Sequence, residues 1–325
     1  MGVRMEGCCV DFGFVAMQML VVSLPIVLGW AINKLGFLNP ELDSGLSQLV
    51  MNIALPCTIL AALHDAEALP SIETMLLIVA ATFLVYVVAV PMAFAITALL
   101  RVPVETRAAY RFAVAFGNCG FIGLPVISAI FGSDALLYAA ISLIPANVAL
   151  FGVGALLFSV GEGDAADGGI GKKLRRTFAS LKTPTLIMSV IVLVLALLGI
   201  ENLGIVGDAA SIVGQMTTPL ALLVTGSSMA TYQVRSMLTN YRAYIVAAAR
   251  LVLVPLASLV VVRLLPLDLL AIGVVIVDSS MPVATVGTLL CLQHHIDVKP
   301  MLQITFISIA GSILSIPLVT VLVGA

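Results

Sequence analysis

Eight stretches of 18 or more consecutive residues contain no Asp, Glu, Lys or Arg: Phe12 to Asn33, Ser44 to His64, Thr74 to Leu100, Phe112 to Ser133, Ala135 to Gly161, Thr183 to Ile200, Ala209 to Val234 and Pro300 to Ala325. Two more, Ala243 to Val262 and Leu269 to Ile296, hold one charge each, Arg250 and Asp278. A hydrocarbon layer about 30 Å thick is crossed by roughly 20 apolar residues in a helix. The chain therefore reads as an all-α integral membrane protein with ten transmembrane helices. A soluble domain carries about 25% charged residues, whereas here the share is 10% with 61% apolar residues and a mean hydropathy of +1.20, which excludes a soluble enzyme. Runs such as Leu76-Leu77-Ile78-Val79-Ala80 do not alternate as a transmembrane barrel requires.

The few charges carry the topology. Lys and Arg mark cytoplasmic loops, and sorting the loops by parity puts 12 basic residues on one side and only Arg4 and Arg263 on the other. Both termini are thus expected on the extracytoplasmic side of the cell membrane. The first stretch is longer than a signal-peptide core and lacks a cleavage site before Lys34, so it is expected to stay.

Residues 161 to 183 open Gly-Glu-Gly-Asp and turn basic at Lys172-Lys173-Leu174-Arg175-Arg176, which reads as a cytoplasmic linker. It separates a first five-helix repeat, 1 to 160, from a second, 184 to 325, and an odd helix number forces the two into opposite orientations. Proline pairs recur across the halves: Pro25 with Pro184, Pro56 with Pro219, Pro91 with Pro255 and Pro125 with Pro282. Inverted repeats are a transporter architecture whose site forms where helices are discontinuous.

Two such discontinuities are expected. The fourth stretch contains Gly117-Asn118-Cys119-Gly120-Phe121-Ile122-Gly123-Leu124-Pro125, and the ninth contains Asp278-Ser279-Ser280-Met281-Pro282-Val283-Ala284. Each Gly costs a helix about 1 kcal/mol and each Pro about 3 relative to Ala. Broken, crossing helices 4 and 9 would offer half-helix N-termini to an anion and freed carbonyls to a cation.

These residues, with Asn52-Ile53-Ala54-Leu55-Pro56, resemble those of the auxin efflux carrier family, whose bacterial members include organic-anion transporters. The resemblance implies ten helices in two inverted repeats, crossing at Pro125 and Pro282, and a carboxylate held near Asn118. The long central hydrophilic loop common in plant members is missing, which argues against auxin itself.

The candidate substrate-binding residues are Asn118, Gly120, Gly123, Pro125, Ser279, Ser280, Pro282, Asn52, Asn147 and Arg250, with Asp278 as the ion-coupling candidate. Asn52 and Asn147 read as buried amides, either interhelical glue or lining of the site. Arg250 stands about 10 Å into its helix at 1.5 Å per residue. It can snorkel to the interface, serve as countercharge for a carboxylate or pair with Asp278. Asp278 either couples H+ or Na+ or caps the second half-helix. Adjacent His294 and His295 point apart on a helix and do not suggest a shared metal.

No catalytic constellation, metal spacing or nucleotide-binding loop occurs in the sequence, so no cofactor and no enzymatic activity are expected. The five cysteines read as apolar thiols, and a net charge of −2 gives no footprint for nucleic acid. The expected partners are a small organic anion, H+ or Na+, and the lipid bilayer; a homodimer is left open. The function implied is a secondary or facilitative transporter of a mono- or dicarboxylate by alternating access. The alternative is a Na+ or H+ coupled carrier of the bile-acid/sodium symporter type.

Overall fold

A computed structural model describes residues 12–159, 183–231 and 234–324. Its helices are α1 (Phe12–Lys34), α2 (Pro40–His64), α3 (Ile72–Leu99), α4 (Arg107–Ala115), α5 (Cys119–Phe131), α6 (Ala135–Phe158), α7 (Pro184–Leu197), α8 (Ile205–Ala230), α9 (Tyr241–Val262), α10 (Leu269–Ser279), α11 (Val286–Gln293) and α12 (Lys299–Gly324), with a single turn at Val234–Met237. There is no β-strand among the described residues. The linker, apart from Thr183, and Cys8 and Cys9 lie outside them.

Several helices start where a polar side chain satisfies an orphan amide. Asn39 accepts from the Leu42 N–H at 2.8 Å, Ser71 from Thr74 at 3.0 Å, Thr183 from Leu186 at 3.2 Å and Asp268 from Ala271 at 2.6 Å. Prolines then shape the interiors. Widened π turns at Val50–Ala54, Cys119–Gly123 and Ala249–Leu253 immediately precede Pro56, Pro125 and Pro255. In each, an N–H reaches five residues back: Leu55 to Val50, Leu124 to Cys119 and Val254 to Ala249. A proline ring collides with the carbonyl four residues earlier, and one extra residue in the turn moves that carbonyl aside. The paired prolines do not all behave alike. Pro91 lies within an uninterrupted α3, and Pro184 opens α7 while Pro25 lies inside α1.

Seven of the described helices are long and apolar enough to cross a membrane: α1, α2, α3, α6, α8, α9 and α12. The fourth and ninth apolar stretches are not single helices, because each is split at its break into α4 and α5, and α10 and α11. In the sixth, the helix α7 runs over Pro184–Leu197.

Among the helix contacts, α1 and α2 lie against α8, with α7 against α2, and α3 contacts α4, α6 and α9, while α12 contacts α9 and α10; the two groups also meet, α1 against α12 and α7 against α6. The α1–α8 contact is backbone to backbone: a Cβ at Gly29 would run into the Leu223 carbonyl, and one at Gly226 into the Ile26 carbonyl. Small residues permit this approach where lipid gives no hydrophobic drive between helices. At one end of α2, His64 Nε2 lies 3.3 Å from Asp208 and its Nδ1 accepts the Leu203 N–H, fastening α2 to α8.

Candidate functional site

Between α4 and α5 the chain unwinds over Phe116, Gly117 and Asn118, and between α10 and α11 it unwinds from Ser280 to Thr285. The two open segments meet as an antiparallel bridge, Gly117 opposite Val283. The Asn118 N–H donates to the Pro282 carbonyl at 2.8 Å, and the Ala284 N–H donates to the Phe116 carbonyl at 3.1 Å. The Val283 N–H donates to Ser308 Oγ on α12 at 3.1 Å. Backbone polar groups that leave a helix inside a membrane need partners within the protein. Here the two breaks supply them to each other, so each is stable because the other faces it.

Arg250 completes this junction from α9. It is only 1% exposed. Its Nε donates to the Met281 carbonyl at 3.1 Å, and Nη1 donates to the Ala115 carbonyl at 3.0 Å and the Val114 carbonyl at 3.4 Å. The guanidinium therefore does not snorkel. It takes carbonyls left open at the junction, because the last carbonyls of α4 have no intrahelical donor. Nor does Arg250 pair with Asp278: among the described residues the only ion pair within 4.0 Å joins His64 and Asp208.

On the other side of the bridge lies a cavity of about 80 Å³, lined by Asn118, Gly120, Asn147, Tyr86, Thr183, Thr185 and Thr285 among others. Asn118 is 6% exposed, and its side chain has divided roles. Oδ1 accepts the Phe121 N–H at 3.2 Å and caps α5, while Nδ2 is buried without a hydrogen-bond partner. An unpaired buried amide is costly. The N-terminus of α11, with Thr285 and Val286, forms another part of the wall. Two half-helix N-termini thus wall a small, mostly apolar chamber, one of them bearing Asn118 with its unpaired side-chain N–H, an arrangement that attracts an anion.

The remaining candidates are placed differently. Asn147 is half-buried, lines the cavity and donates from Nδ2 to the Leu143 carbonyl at 2.8 Å. Asn52 is not the buried amide expected: its position in the π turn leaves it exposed and outside the cavity lining. Gly123, Pro125, Ser279, Ser280, Pro282 and Asp278 do not line the cavity either. They build the crossover behind it. Ser279 and Ser280 turn back onto the carbonyls of Ile276 and Val277, both at 2.7 Å. Asp278, 4% exposed, accepts from Ser142 Oγ at 3.3 Å, and its Oδ1 lies 2.8 Å from where a Cβ on Gly123 would stand. The Asp278 carbonyl is not freed for a ligand, since it accepts the Met281 N–H at 3.3 Å. Sequence reasoning missed Tyr86, Thr183, Thr185 and Ser308, whose hydroxyls are unremarkable in apolar stretches and gain meaning only from what faces them. His294 stacks near Phe158, with ring centroids 5.8 Å apart.

Comparison with known proteins agrees with the membrane architecture. Residues 14–168 and 172–320 match the family model described as membrane transport protein. An uncharacterized transporter of Methanothermobacter thermautotrophicus is 25% identical over 299 residues, covering 92% of this chain and 95% of the relative. With both halves matched by one model, the chain belongs to the membrane transport protein family, that of the auxin efflux carriers.

Proposed function

We propose that this protein is a secondary or facilitative transporter for a small organic anion, with the substrate carboxylate bound at the Asn118 end of α5. The observation carrying this reading is the buried Asn118 Nδ2, which has no partner and belongs to a residue lining a cavity also walled by the N-terminus of α11. Ten membrane crossings in two inverted five-helix repeats accommodate it, with α4 and α5 making the fourth and α10 and α11 the ninth. The loop charges favour both termini outside the cell membrane. Rocking of the neighbourhood of α1, α2, α7 and α8 against the rest would expose the cavity to alternate sides. Membership of a transport family and a transporter among the relatives support the general class, without naming a substrate.

The test is counterflow of labelled acetate, lactate, succinate and benzoate in proteoliposomes. Asn118→Ala is expected to lower uptake at least about tenfold, the loss of one well-placed hydrogen bond to a charged group being about 1.5 to 3 kcal/mol. Asn118→Asp keeps a good helix cap but replaces the free donor with a charge repelling anions, so it should be as inactive as Asn118→Ala while losing less thermal stability. Counterflow undiminished in both variants would remove Asn118 from the site. Coupling by H+ or Na+ is a second reading, supported by the buried Asp278 carboxylate, which accepts from Ser142 Oγ. It requires Asp278→Asn to abolish any pH or Na+ dependence of uptake.

A further inference from the structure

We propose that Arg250 is the positioning residue of the crossover, locking both unwound segments together and leaving its charge to be balanced by the anion on the cavity side of Gly117. The second half rests on the transport reading above; the first does not.

The geometry supports a lock rather than a ligand. Arg250 reaches from α9 into the junction and donates to Met281 in one break and to Val114 and Ala115 at the end of α4 beside the other. These three carbonyls belong to segments more than 160 residues apart in the chain, and one planar guanidinium holds them in a fixed relation. Nη2 packs against Gly117, where a Cβ would collide with it. Gly117 also lines the cavity. The cation therefore stands one backbone thickness behind the wall against which the substrate binds.

Its charge is the second point. A buried ion in a membrane is ordinarily paired, yet Arg250 at 1% exposure has only neutral carbonyls within hydrogen-bonding reach. Asp278 is not within 4.0 Å of it and takes its hydrogen bond from Ser142. Carbonyl dipoles solvate the guanidinium, and Asp278 acts on it through space without a direct ion pair, so a carboxylate entering the cavity meets a fixed positive charge that no neighbour contacts as an ion pair. An uncharged analogue of the same shape does not gain from it. This assigns Arg250 a part in anion selectivity although it touches no substrate atom.

The test uses the purified full-length chain with Arg250→Lys and Arg250→Gln. Hydrogen exchange is followed at the amides of Asn118 and Ala284, which close the bridge, with α3 as reference. The expected result is exchange about tenfold faster at those two amides in both variants, with α3 unchanged. Wild-type rates at both amides in either variant would overturn the lock. If Arg250→Gln does not fold, Gly117→Ala displaces the guanidinium from the other side and should give the same local signature. Thermal shifts with acetate, succinate and benzoate, against acetamide, succinamide and benzamide, read the charge. Wild type and Arg250→Lys should be stabilised by the carboxylates alone, and Arg250→Gln by neither series. Carboxylate stabilisation surviving in Arg250→Gln would overturn the selectivity role. No shift in wild type would instead count against the transport reading, while exchange still decides the lock.

Discussion

Alanine at Gly226 is expected to destabilise the protein by about 3 kcal/mol or more, whereas alanine at Gly45 should leave it unchanged or stabilise it by up to about 1 kcal/mol. The chemical change is the same, one methyl group inside a helix. At Gly226 that methyl would meet the carbonyl carbon and oxygen of Ile26 on α1. Both are backbone atoms, which cannot swing aside as a side chain can, so α1 and α8 must separate along their contact. At Gly45 no atom lies within 4 Å of the added carbon, and the only effect is the smaller conformational entropy of the unfolded chain. Thermal unfolding in detergent measures the difference. Equal melting temperatures would show that α1 and α8 do not touch backbone to backbone. Gly29, which meets Leu223 in the same way, should repeat the Gly226 result.

Gly226 and Gly45 also show how far the sequence could be read. Both are glycines in apolar or amphipathic helical surroundings, and nothing local tells which faces a neighbour. Features that act along the chain were legible: the spans from missing charges, and the breaks from Gly and Pro gathered beside Asn118 and Asp278. Features that act between helices were not. Asn52 and Asn147 each stand near a proline, yet one is exposed and the other lines the cavity. Arg250 reads by depth as a side chain able to snorkel, and only the carbonyls left open by α4 and by Met281 explain why it points inward. The π turns before Pro56, Pro125 and Pro255 were equally hidden, because a proline in a helix can kink, break or widen it, and packing selects among these.

Alanine at Gly123 is expected to cost about 1 to 3 kcal/mol, and most of that loss should disappear when Asp278 is also alanine. The added Cβ would stand 2.8 Å from Asp278 Oδ1, 3.5 Å from Met281 Cγ and 3.6 Å from the Asn118 carbonyl oxygen. The carboxylate contact is the shortest, and the other two are ordinary van der Waals contacts, so removing the carboxylate removes the collision. Asp278→Ala by itself leaves Ser142 with its bond to the Ala139 carbonyl at 2.8 Å, so no hydroxyl is stranded. Because the two residues touch across α5 and α10, the double-mutant cycle should show a coupling of about 1 to 2 kcal/mol, well beyond the few tenths typical of separated sites. Strict additivity would place the Asp278 carboxylate elsewhere. The same four proteins, wild type included, separate shape from charge in transport. If Asp278 only fills the space beside Gly123, the double variant should regain counterflow that Gly123→Ala loses. If its carboxylate also carries a coupling ion, uptake should return without any dependence on pH or Na+, because the crossover would again close properly but the titrating group would be gone.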